Sequence, residues 1–401
     1  MIRQTMAAHS SSHPAQELSE SSQNDAQSES MSSYTPTERR NILTGAIVLM
    51  IFATGGLAMY ISDYNQAVHM DSFQDSSSHK HSSRRQIRRQ TFALVSDIDD
   101  DTYPDIADIL RPMHPDYLVL GGDINYAGDP PYIGVSSNFP AYAENKNIIF
   151  AFGNHDFESG IDAYANFFEI SPGMSYGGIE VESKYYYTRI TGEVQWFVLC
   201  SQGYYCGDDE KGMKEGGQQA AWLDRVLAES RANTDIKFRF VVNHWSPLST
   251  LGYCCDGDCD YRLHWFPFVE NGVDAIFSGH DHAYQRLSVP KSSDGEVSVN
   301  GHDYTLNGWE GLTMVVTGTG KNNPGRAEGS CSDHTGFSSY NKYDEDDDAR
   351  GVIIATLSQY ANGDALEFLY IATDGRVLDM FSVLNTGHLQ NTWNHGEPVE
   401  P

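Results

Sequence analysis

Five short apolar runs in this chain stop at side chains of the kind that bind metal ions. The clearest run covers 117–120 and is followed by Gly121, Gly122 and Asp123. An apolar run of this length that ends at glycines predicts a buried strand leading into a tight loop. Ligands bind at the carboxyl ends of strands in open α/β sheets, so we expect Asp123 at a ligand-binding edge. For this run alone, an aspartate that only caps a turn is an equal alternative.

The other four runs, at 92–95, 148–152, 238–242 and 273–278, also end next to polar side chains that can bind metal ions. The polar side chains at or near the five ends are Asp97, Asp123, Tyr126, Asn154, His155, His244, His280 and His282. Oxygen and imidazole donors without paired thiolates suit iron, manganese or zinc. A chance gathering of so many donors at strand ends is improbable, and the sequence therefore predicts a metal site at one edge of the fold.

Further elements are expected around these strands. A helix is predicted over 217–230, where Ala221, Trp222, Val226 and Leu227 form an apolar stripe. A strand is predicted at 312–318. Three later runs, at 351–357, 365–371 and 377–383, are separated by Asn-Gly and Asp-Gly pairs and predict an antiparallel meander.

The first ninety residues differ in composition from the rest. Residues 1–40 are rich in Ser, Gln and Glu and are expected to form a disordered tail. Residues 41–61 carry no charge and have about the length of a bilayer-spanning helix, which predicts a transmembrane signal anchor. A buried core helix and a cleaved signal peptide are the alternatives. Arg39 and Arg40 precede this segment, so the tail is expected in the cytosol and the main body on the lumenal or extracellular side.

Residues 62–90 form a Ser-, His- and Arg-rich linker. Its four arginines at 84–89 count against the predicted orientation, although they lie at the outer limit of the positive-inside rule. The same cluster resembles a dibasic processing site, at which cleavage would release the folded part, and a solvated basic linker is the alternative. The folded domain is expected at 91–385, with a short tail at 386–401.

The net charge of −29 resides entirely in the predicted folded domain and tail. Residues 91–401 hold 18 Lys and Arg against 47 Asp and Glu. This acidity argues against nucleic-acid binding, which needs basic side chains to neutralise phosphates. An anionic substrate would have to be attracted by bound cations instead.

The six cysteines suit an oxidising compartment. Cys200 and Cys206 flank a short loop and could pair. Three cysteines at 254, 255 and 259 and a fourth at 331 leave their pairing open, and a thiolate metal site at the first three is a weaker alternative.

The order of these motifs resembles the calcineurin-like metallophosphoesterases. The resemblance rests on Asp97, Gly122-Asp123-x-x-Tyr126, Gly153-Asn154-His155-Asp156, His244 and Gly279-His280-x-His282. The tyrosine three residues after Asp123 is typical of the purple acid phosphatase branch, and the chain looks like the short single-domain type of tartrate-resistant acid phosphatase. The resemblance implies an α/β (α+β) fold, a two-sheet β-sandwich flanked by α-helices, to which the segment at 41–61 adds an N-terminal transmembrane helix.

The resemblance also implies a dinuclear metal centre. Asp97, Tyr126 and His282 would hold Fe(III), Asn154, His244 and His280 would hold a divalent Fe, Zn or Mn ion, and Asp123 would bridge the two. The implied activity is that of an acid phosphatase, in which a metal-bound hydroxide attacks small phosphomonoesters and His155 acts as general acid. The alternatives are a metallo-phosphodiesterase or nucleotide hydrolase, and a non-catalytic metal-binding membrane ectodomain. The oligomeric state is left open.

Two residues near the motifs need separate interpretation. Asp99 stands where the purple acid phosphatase branch usually has glycine and the wider superfamily has histidine. Its carboxylate could crowd Tyr126, bind metal or face solvent, and we expect it to face solvent. Arg286, just past the histidine pair, could contact phosphate, but we expect a structural role.

Overall fold

The computed structural model describes fourteen parts of the chain. They are residues 90–126, 130–158, 160–176, 179–201, 206, 217–247, 249, 272–288, 296–299, 302–305, 312–320, 338–342, 350–360 and 363–384. The predicted tail, membrane segment and linker before residue 90, the cysteines at 254, 255, 259 and 331, and the tail at 386–401 lie outside these residues. Within the described ranges, no helix combines the length and the apolar character needed to cross a membrane.

These ranges contain 17 strands and six helices. The strands are β1 (Thr91–Val95), β2 (Tyr117–Leu120), β3 (Ile148–Phe150), β4 (Ser175–Tyr176), β5 (Ile179–Glu180), β6 (Tyr187–Thr191), β7 (Val194–Val198), β8 (Phe238–Trp245), β9 (Ala275–Gly279), β10 (Tyr284–Ser288), β11 (Glu296–Val299), β12 (His302–Thr305), β13 (Thr313–Thr317), β14 (Ser338–Lys342), β15 (Gly351–Tyr360), β16 (Gly363–Ala372) and β17 (Val377–Leu384). The helices are α1 (Tyr103–Met113), α2 (Pro131–Asn138), α3 (Pro140–Asn145), α4 (Asn154–Glu158), α5 (Ile161–Phe167) and α6 (Gln218–Ala232).

The first large sheet has six strands in the order β17-β16-β15-β1-β2-β3. Strands β1, β2 and β3 run parallel to one another. Strands β15, β16 and β17 are antiparallel neighbours, which confirms the predicted meander. The three parallel strands therefore deliver their carboxyl ends to one edge of this sheet.

The second large sheet has seven strands in the order β14-β10-β13-β9-β8-β7-β6. Its central strands β7, β8, β9 and β13 are parallel. Two separate pairs, β4 with β5 and β11 with β12, form small two-stranded sheets. The second sheet thus has parallel strands in the middle and antiparallel strands at both sides, whereas in the first sheet the parallel strands occupy one side and the antiparallel meander the other.

The two large sheets pack face to face through aromatic side chains. The ring centroids of Tyr284 on β10 and Tyr370 on β16 are 4.0 Å apart, with the ring planes 5° from parallel. Phe368 on β16 contacts Phe240 and Phe277 of the second sheet at 6.0 and 5.5 Å. Aromatic pairs of this kind add to the free energy gained by burying their area. The two-sheet sandwich expected from the resemblance is confirmed.

Helix α6 shows where the predicted apolar stripe was inaccurate. Trp222, Val226 and Leu227 are buried as predicted, but Ala221 is exposed and Leu223 takes its place in the core. Residues one apart on a helix are separated by about 100°, so one face can include both 222 and 223 but not 221 as well. The apolar face therefore differs from the predicted one at a single residue, with Leu223 in place of Ala221.

Candidate metal centre

The expected donors lie where the parallel strands of both sheets end. Asp97 follows β1, Asp123 follows β2, and Asn154 follows β3, whereas the second sheet supplies His244 from β8 and His280 just after β9. The sheet edges are joined there by backbone hydrogen bonds. The N–H of Ser96 donates to the carbonyl of Thr317 at 3.2 Å, and the N–H of Gly320 donates to the carbonyl of Ser96 at 3.0 Å. Strand ends distant in sequence are thereby brought to one place.

One cluster gathers Asp97, Tyr126 and His282. The Tyr126 hydroxyl donates to Oδ1 of Asp97 at 2.9 Å and lies 3.0 Å from Nε2 of His282. The same His282 nitrogen is 3.4 Å from Oδ1 of Asp97. Three donor atoms therefore converge within hydrogen-bonding distance or close to it, although 29 and 156 residues separate Tyr126 from its partners.

A second cluster gathers Asp123, His244 and His280, whose candidate ligand atoms all lie within 4.8 Å of one another. Nε2 of His244 is 3.2 Å from Oδ2 of Asp123. Nδ1 of His244 lies 2.9 Å from the carbonyl oxygen of Gly121, which requires Nδ1 to carry the proton. In the neutral ring that binds a metal ion, Nε2 then carries the free lone pair, and it faces the Asp123 carboxylate. It is buried and makes no hydrogen bond within the described part of the chain, which fits a cation ligand.

Asn154 and His155 begin helix α4 beside these clusters. The side-chain oxygen of Asn154 accepts the indole N–H of Trp245 at 3.3 Å. Nε2 of His155 is 4.0 Å from Oδ2 of Asp123, and its ring lies 4.6 Å from that of Tyr126. The His155 side chain is 35% exposed, so it borders the clusters while remaining open to solvent.

The backbone of the site is unusual at three donor residues. Asp97, Asp123 and His280 have φ angles of 58°, 49° and 71°, in the left-handed region that non-glycine residues seldom adopt. Such conformations persist only where the surroundings enforce them. Here the N–H of His280 donates to Oδ2 of Asp97 at 2.9 Å, and the N–H of Ile98 donates to the carbonyl of Asp123 at 2.9 Å. Three of the expected donors therefore have a backbone conformation that the surrounding structure has to enforce.

Glycine is required where the β2 and β3 loops meet. A Cβ atom on Gly153 would overlap Oδ1 and the backbone nitrogen of Asp123. Gly122 has a φ angle of +94°, and a Cβ atom there would lie 2.7 Å from Nδ1 of His244. The two glycines let the β2 and β3 loops approach each other closely beside Asp123 and His244.

Buried negative charge dominates the electrostatics. Burial alone would raise the pKa of Asp97, but the charge of His244 and the hydrogen bond and charge of His282 hold that pKa well below its usual range. Burial lowers the pKa of His244, yet Asp123 and Asp97 raise it to about 9. Burial and the Asp97 charge raise the pKa of Tyr126 far above its ordinary value. A region that attracts positive charge this strongly is suited to holding cations.

A comparison with known families identifies the domain type. Residues 90–284 match the family model for the calcineurin-like phosphoesterases. This chain carries a calcineurin-like phosphoesterase domain. All the donors described above fall within the matched residues.

Two curated relatives of the phosphoesterase domain are uncharacterised proteins of Mycobacterium tuberculosis, from strains CDC 1551 and H37Rv. Each is 28% identical over 145 residues, which cover 34% of this chain and 27% of the relative. The match thus spans about a quarter of the length of these relatives.

The domain is also similar to several solved structures. The purple acid phosphatase from yellow lupin (Lupinus luteus) seeds has a TM-score of 0.51 and 18% identity, over 75% of this chain and 54% of the lupin chain. GAP50, the anchor in the inner membrane complex of Plasmodium, has a TM-score of 0.47 and 16% identity, over 74% of this chain and 89% of GAP50. A dimetal phosphatase from Danio rerio has a TM-score of 0.43 and 14% identity, over 74% of this chain and 99% of the Danio chain. The lupin enzyme thus supports the two-sheet fold.

Asp99, the departure from the family pattern, closes its own turn. Its Oδ1 accepts the N–H of Asp100 at 2.8 Å in an exposed position, and its backbone N–H donates to the Thr102 hydroxyl at 3.0 Å. This agrees with the expectation that the carboxylate faces solvent.

Arg286 and the disulfide also behave as expected. Nε of Arg286 donates to Oδ2 of Asp379 on β17 at 2.7 Å, and both side chains are buried, which supports the expected structural role. Cys200 and Cys206 are disulfide-bonded, as their spacing suggested.

Asp156 is a site residue that sequence reasoning did not single out. Its fully buried carboxylate accepts the N–H groups of Gly153 at 2.7 Å, Asp123 at 2.8 Å and Ile124 at 3.1 Å. Burial and the Asp123 charge raise the pKa of Asp156 to about 8. The residue ties the β2 loop to the β3 loop. An acidic residue next to a histidine in a motif gives no sign of whether it binds metal or backbone, so the sequence offers no signal for this role.

Proposed function

We propose that this domain is a dinuclear metallophosphatase of the purple acid phosphatase type, acting on phosphate monoesters. The observation that carries the proposal is the position of Asp123. Its Oδ2 lies 3.2 Å from the buried Nε2 of His244, and the hydrogen bond from the N–H of Ile98 to the Asp123 carbonyl links its loop to that of Asp97. A carboxylate that belongs to one donor cluster, on a loop bonded to the loop of the other cluster, is suited to bridging two ions.

The donor types support two cations of different charge, one trivalent and one divalent. Asp97, Tyr126 and His282 would hold Fe(III), because a phenolate and a carboxylate are hard anionic donors that favour a trivalent ion. Asn154, His244 and His280 would hold a divalent ion, since this set adds only neutral donors to the shared Asp123 carboxylate. The resulting positive centre would also draw an anionic substrate toward a strongly acidic protein.

Two bound cations would lower the pKa of a coordinated water and offset the charge of phosphoryl oxygens. The remaining work falls to His155. When attack on phosphorus breaks the ester P–O bond, the departing alkoxide needs a proton, and the imidazolium of His155 donates it. The position of His155 suits this role because its ring contacts Tyr126 at 4.6 Å and is still partly open to solvent. A protonated imidazole favours turnover at acid pH.

The compartment remains part of the proposal. The Cys200–Cys206 disulfide supports an oxidising lumen or the cell exterior. We propose a single-pass anchor at 41–61 with the domain on that side of the membrane. Protease protection in sealed vesicles tests this topology. In vesicles whose cytosolic face points outward, the domain should be protected from an added protease. Digestion of the domain in these vesicles would contradict the proposed topology.

The test of activity compares an aryl phosphate monoester with an aryl phosphodiester at acid and neutral pH. We expect the monoester to be hydrolysed faster and at acid pH. Asp123→Asn should abolish turnover, because an amide cannot bridge two cations as a carboxylate does. Asp108→Asn is the matched control, since Asp108 is 68% exposed on α1, where it pairs with Arg111.

Three outcomes would contradict the proposal. A preference for the diester would favour the phosphodiesterase alternative. Two bound ions with no turnover of any phosphoester would favour a metal-binding ectodomain. Full activity in Asp123→Asn would remove the dinuclear centre from the mechanism.

A further inference from the structure

Trp245 touches the donors assigned to the divalent ion without being one of them. It directly follows His244 at the end of β8. Its indole N–H donates to Oδ1 of Asn154 at 3.3 Å. Its ring lies 5.4 Å from the ring of His280, with the planes tilted by 41°. One side chain therefore contacts two of the three residues assigned to this ion and is adjacent in sequence to the third.

The backbone of Trp245 is held on both sides. Its N–H donates to the Ser201 hydroxyl at 2.8 Å, and its carbonyl accepts from the side-chain amide of Asn243. Asn243 is itself fixed, since its Oδ1 accepts the Ser278 hydroxyl at 3.1 Å. Ser201 follows directly after Cys200 of the disulfide. These bonds fix the backbone position from which the indole reaches Asn154.

An indole N–H can only donate a hydrogen bond, which determines how the Asn154 amide is oriented. The donor selects the amide oxygen and repels the amide nitrogen. The oxygen has two lone pairs, so accepting the indole N–H leaves one for a cation. If the amide rotated by half a turn, it would present its NH₂ group, which cannot bind a metal ion.

We propose that Trp245 is a positioning residue for the divalent ion, acting by holding the Asn154 oxygen toward that ion. The inference rests on the proposed function, because it requires a second cation at Asn154, His244 and His280. Groups that orient a metal ligand in this way typically change metal affinity by 10–100-fold when they are removed. We therefore expect loss of the indole N–H to lower the affinity for the divalent ion by about that factor and to leave the ferric ion bound.

The experiment compares the full-length protein with its Trp245→Phe variant, which keeps an aromatic ring and removes the N–H. Both are loaded with iron, the divalent ion is removed with a weak chelator, and Zn²⁺ is titrated back at equilibrium. The Kd for Zn²⁺ should rise about 10–100-fold in the variant. The visible absorption of Tyr126 bound to Fe(III) should be unchanged. Trp222→Phe is the matched control, because Trp222 is buried in α6 against Tyr186 at 4.8 Å, and it should not change the Kd.

A double-mutant cycle separates positioning from general structural damage. If Trp245 acts through Asn154, then Trp245→Phe should have no further effect on Zn²⁺ affinity in an Asn154→Ala background. Should Trp245→Phe fold poorly, Ser201→Ala provides a second variant, because it removes the hydroxyl that accepts the backbone N–H of Trp245. The Kd for Zn²⁺ should rise in this variant too, by a smaller factor.

The outcomes distinguish this inference from the proposed function. An unchanged Kd in Trp245→Phe, or an equal loss in the Asn154→Ala background, would overturn the positioning role while leaving a two-ion centre intact. An equal loss of affinity for both ions would also overturn the positioning role. A wild-type protein that takes up fewer than two ions would overturn the proposed function itself, and the inference with it.

Discussion

Replacing Arg286 by methionine should destabilise the domain and leave its turnover unchanged. Arg286 is 5% exposed, and its guanidinium donates to both carboxylate oxygens of Asp379, at 2.7 and 3.1 Å. It joins β10 of one sheet to β17 of the other. Removing one member of a buried ion pair typically costs about 3–5 kcal/mol, because the remaining charge stays buried. The Tyr284 hydroxyl still donates to Asp379 at 2.7 Å, so we expect a loss near the lower limit of that range.

Thermal unfolding monitored by circular dichroism measures this loss. In a domain of a few hundred residues, each kcal/mol of lost stability lowers the Tm by about 2–4 °C, so a loss of about 3 kcal/mol lowers it by roughly 6–12 °C. The double variant Arg286→Met/Asp379→Leu should regain most of the stability, since neither charge is then buried. Arg111→Met is the surface control. Its pair with Asp108 is about 70% exposed on both sides and should change stability by less than about 1 kcal/mol.

The kinetic result decides between the two roles that the sequence allowed for Arg286. If it is structural, KM and kcat for an aryl phosphate should be unchanged at a temperature where the variant is folded. An unchanged Tm together with a raised KM would refute the structural interpretation and place the guanidinium at the substrate.

Three further predictions concern the site and its surroundings. His155→Ala should retain both ions by metal analysis while kcat falls about 10²–10⁴-fold, most for esters with poor leaving groups, and unchanged kcat would remove His155 as the proton donor. Gly153→Ala should cost about 1–3 kcal/mol in urea unfolding and lower metal occupancy, because the new methyl group overlaps Asp123; normal occupancy would show that the loops can separate without loss of the site. Cys200→Ser should lower the free energy of unfolding by about 2 kcal/mol, the chain-entropy value for a loop that closes over a sequence separation of six, whereas an unchanged value would show that Cys206 and its partner add no constraint.

The strands that position the donors could be predicted from the sequence because their signal is local. The apolar run at 117–120 has the same bounds as β2, and the runs before Asp97 and Asn154 differ from β1 and β3 by one or two residues. Each run is buried on both faces and is stopped by glycine or a polar residue, which is the pattern of a parallel strand in a sandwich. The positions of Asp97 and Asp123 at one edge followed from that pattern.

The short helices between β2 and β6 were not predicted. Helices α2 and α3 begin at Pro131 and Pro140, and neither is longer than eight residues. Proline is favoured in the first turn of a helix, but a segment of this length contains too few periods for an apolar stripe to stand out. Such helices form because they pack against neighbours, as Phe139 does against the Tyr103 ring at 5.7 Å.

The groups that support the metal donors were also beyond the reach of the sequence. Asp156 and Trp245 each lie within two residues of a donor, yet nothing in the sequence indicates that one binds three backbone N–H groups and the other holds Asn154. These contacts depend on how two loops from separate strands, or from separate sheets, approach one another. Spacing along one chain does not contain that information.

The most direct test of the dinuclear centre is metal analysis of the purified protein together with its visible spectrum. Two ions per chain are expected, with an absorption band from tyrosinate bound to Fe(III) that disappears in Tyr126→Phe. At most one ion under every loading condition, or a band that persists in Tyr126→Phe, would contradict the assignment of this edge of the sandwich as a two-metal phosphatase site.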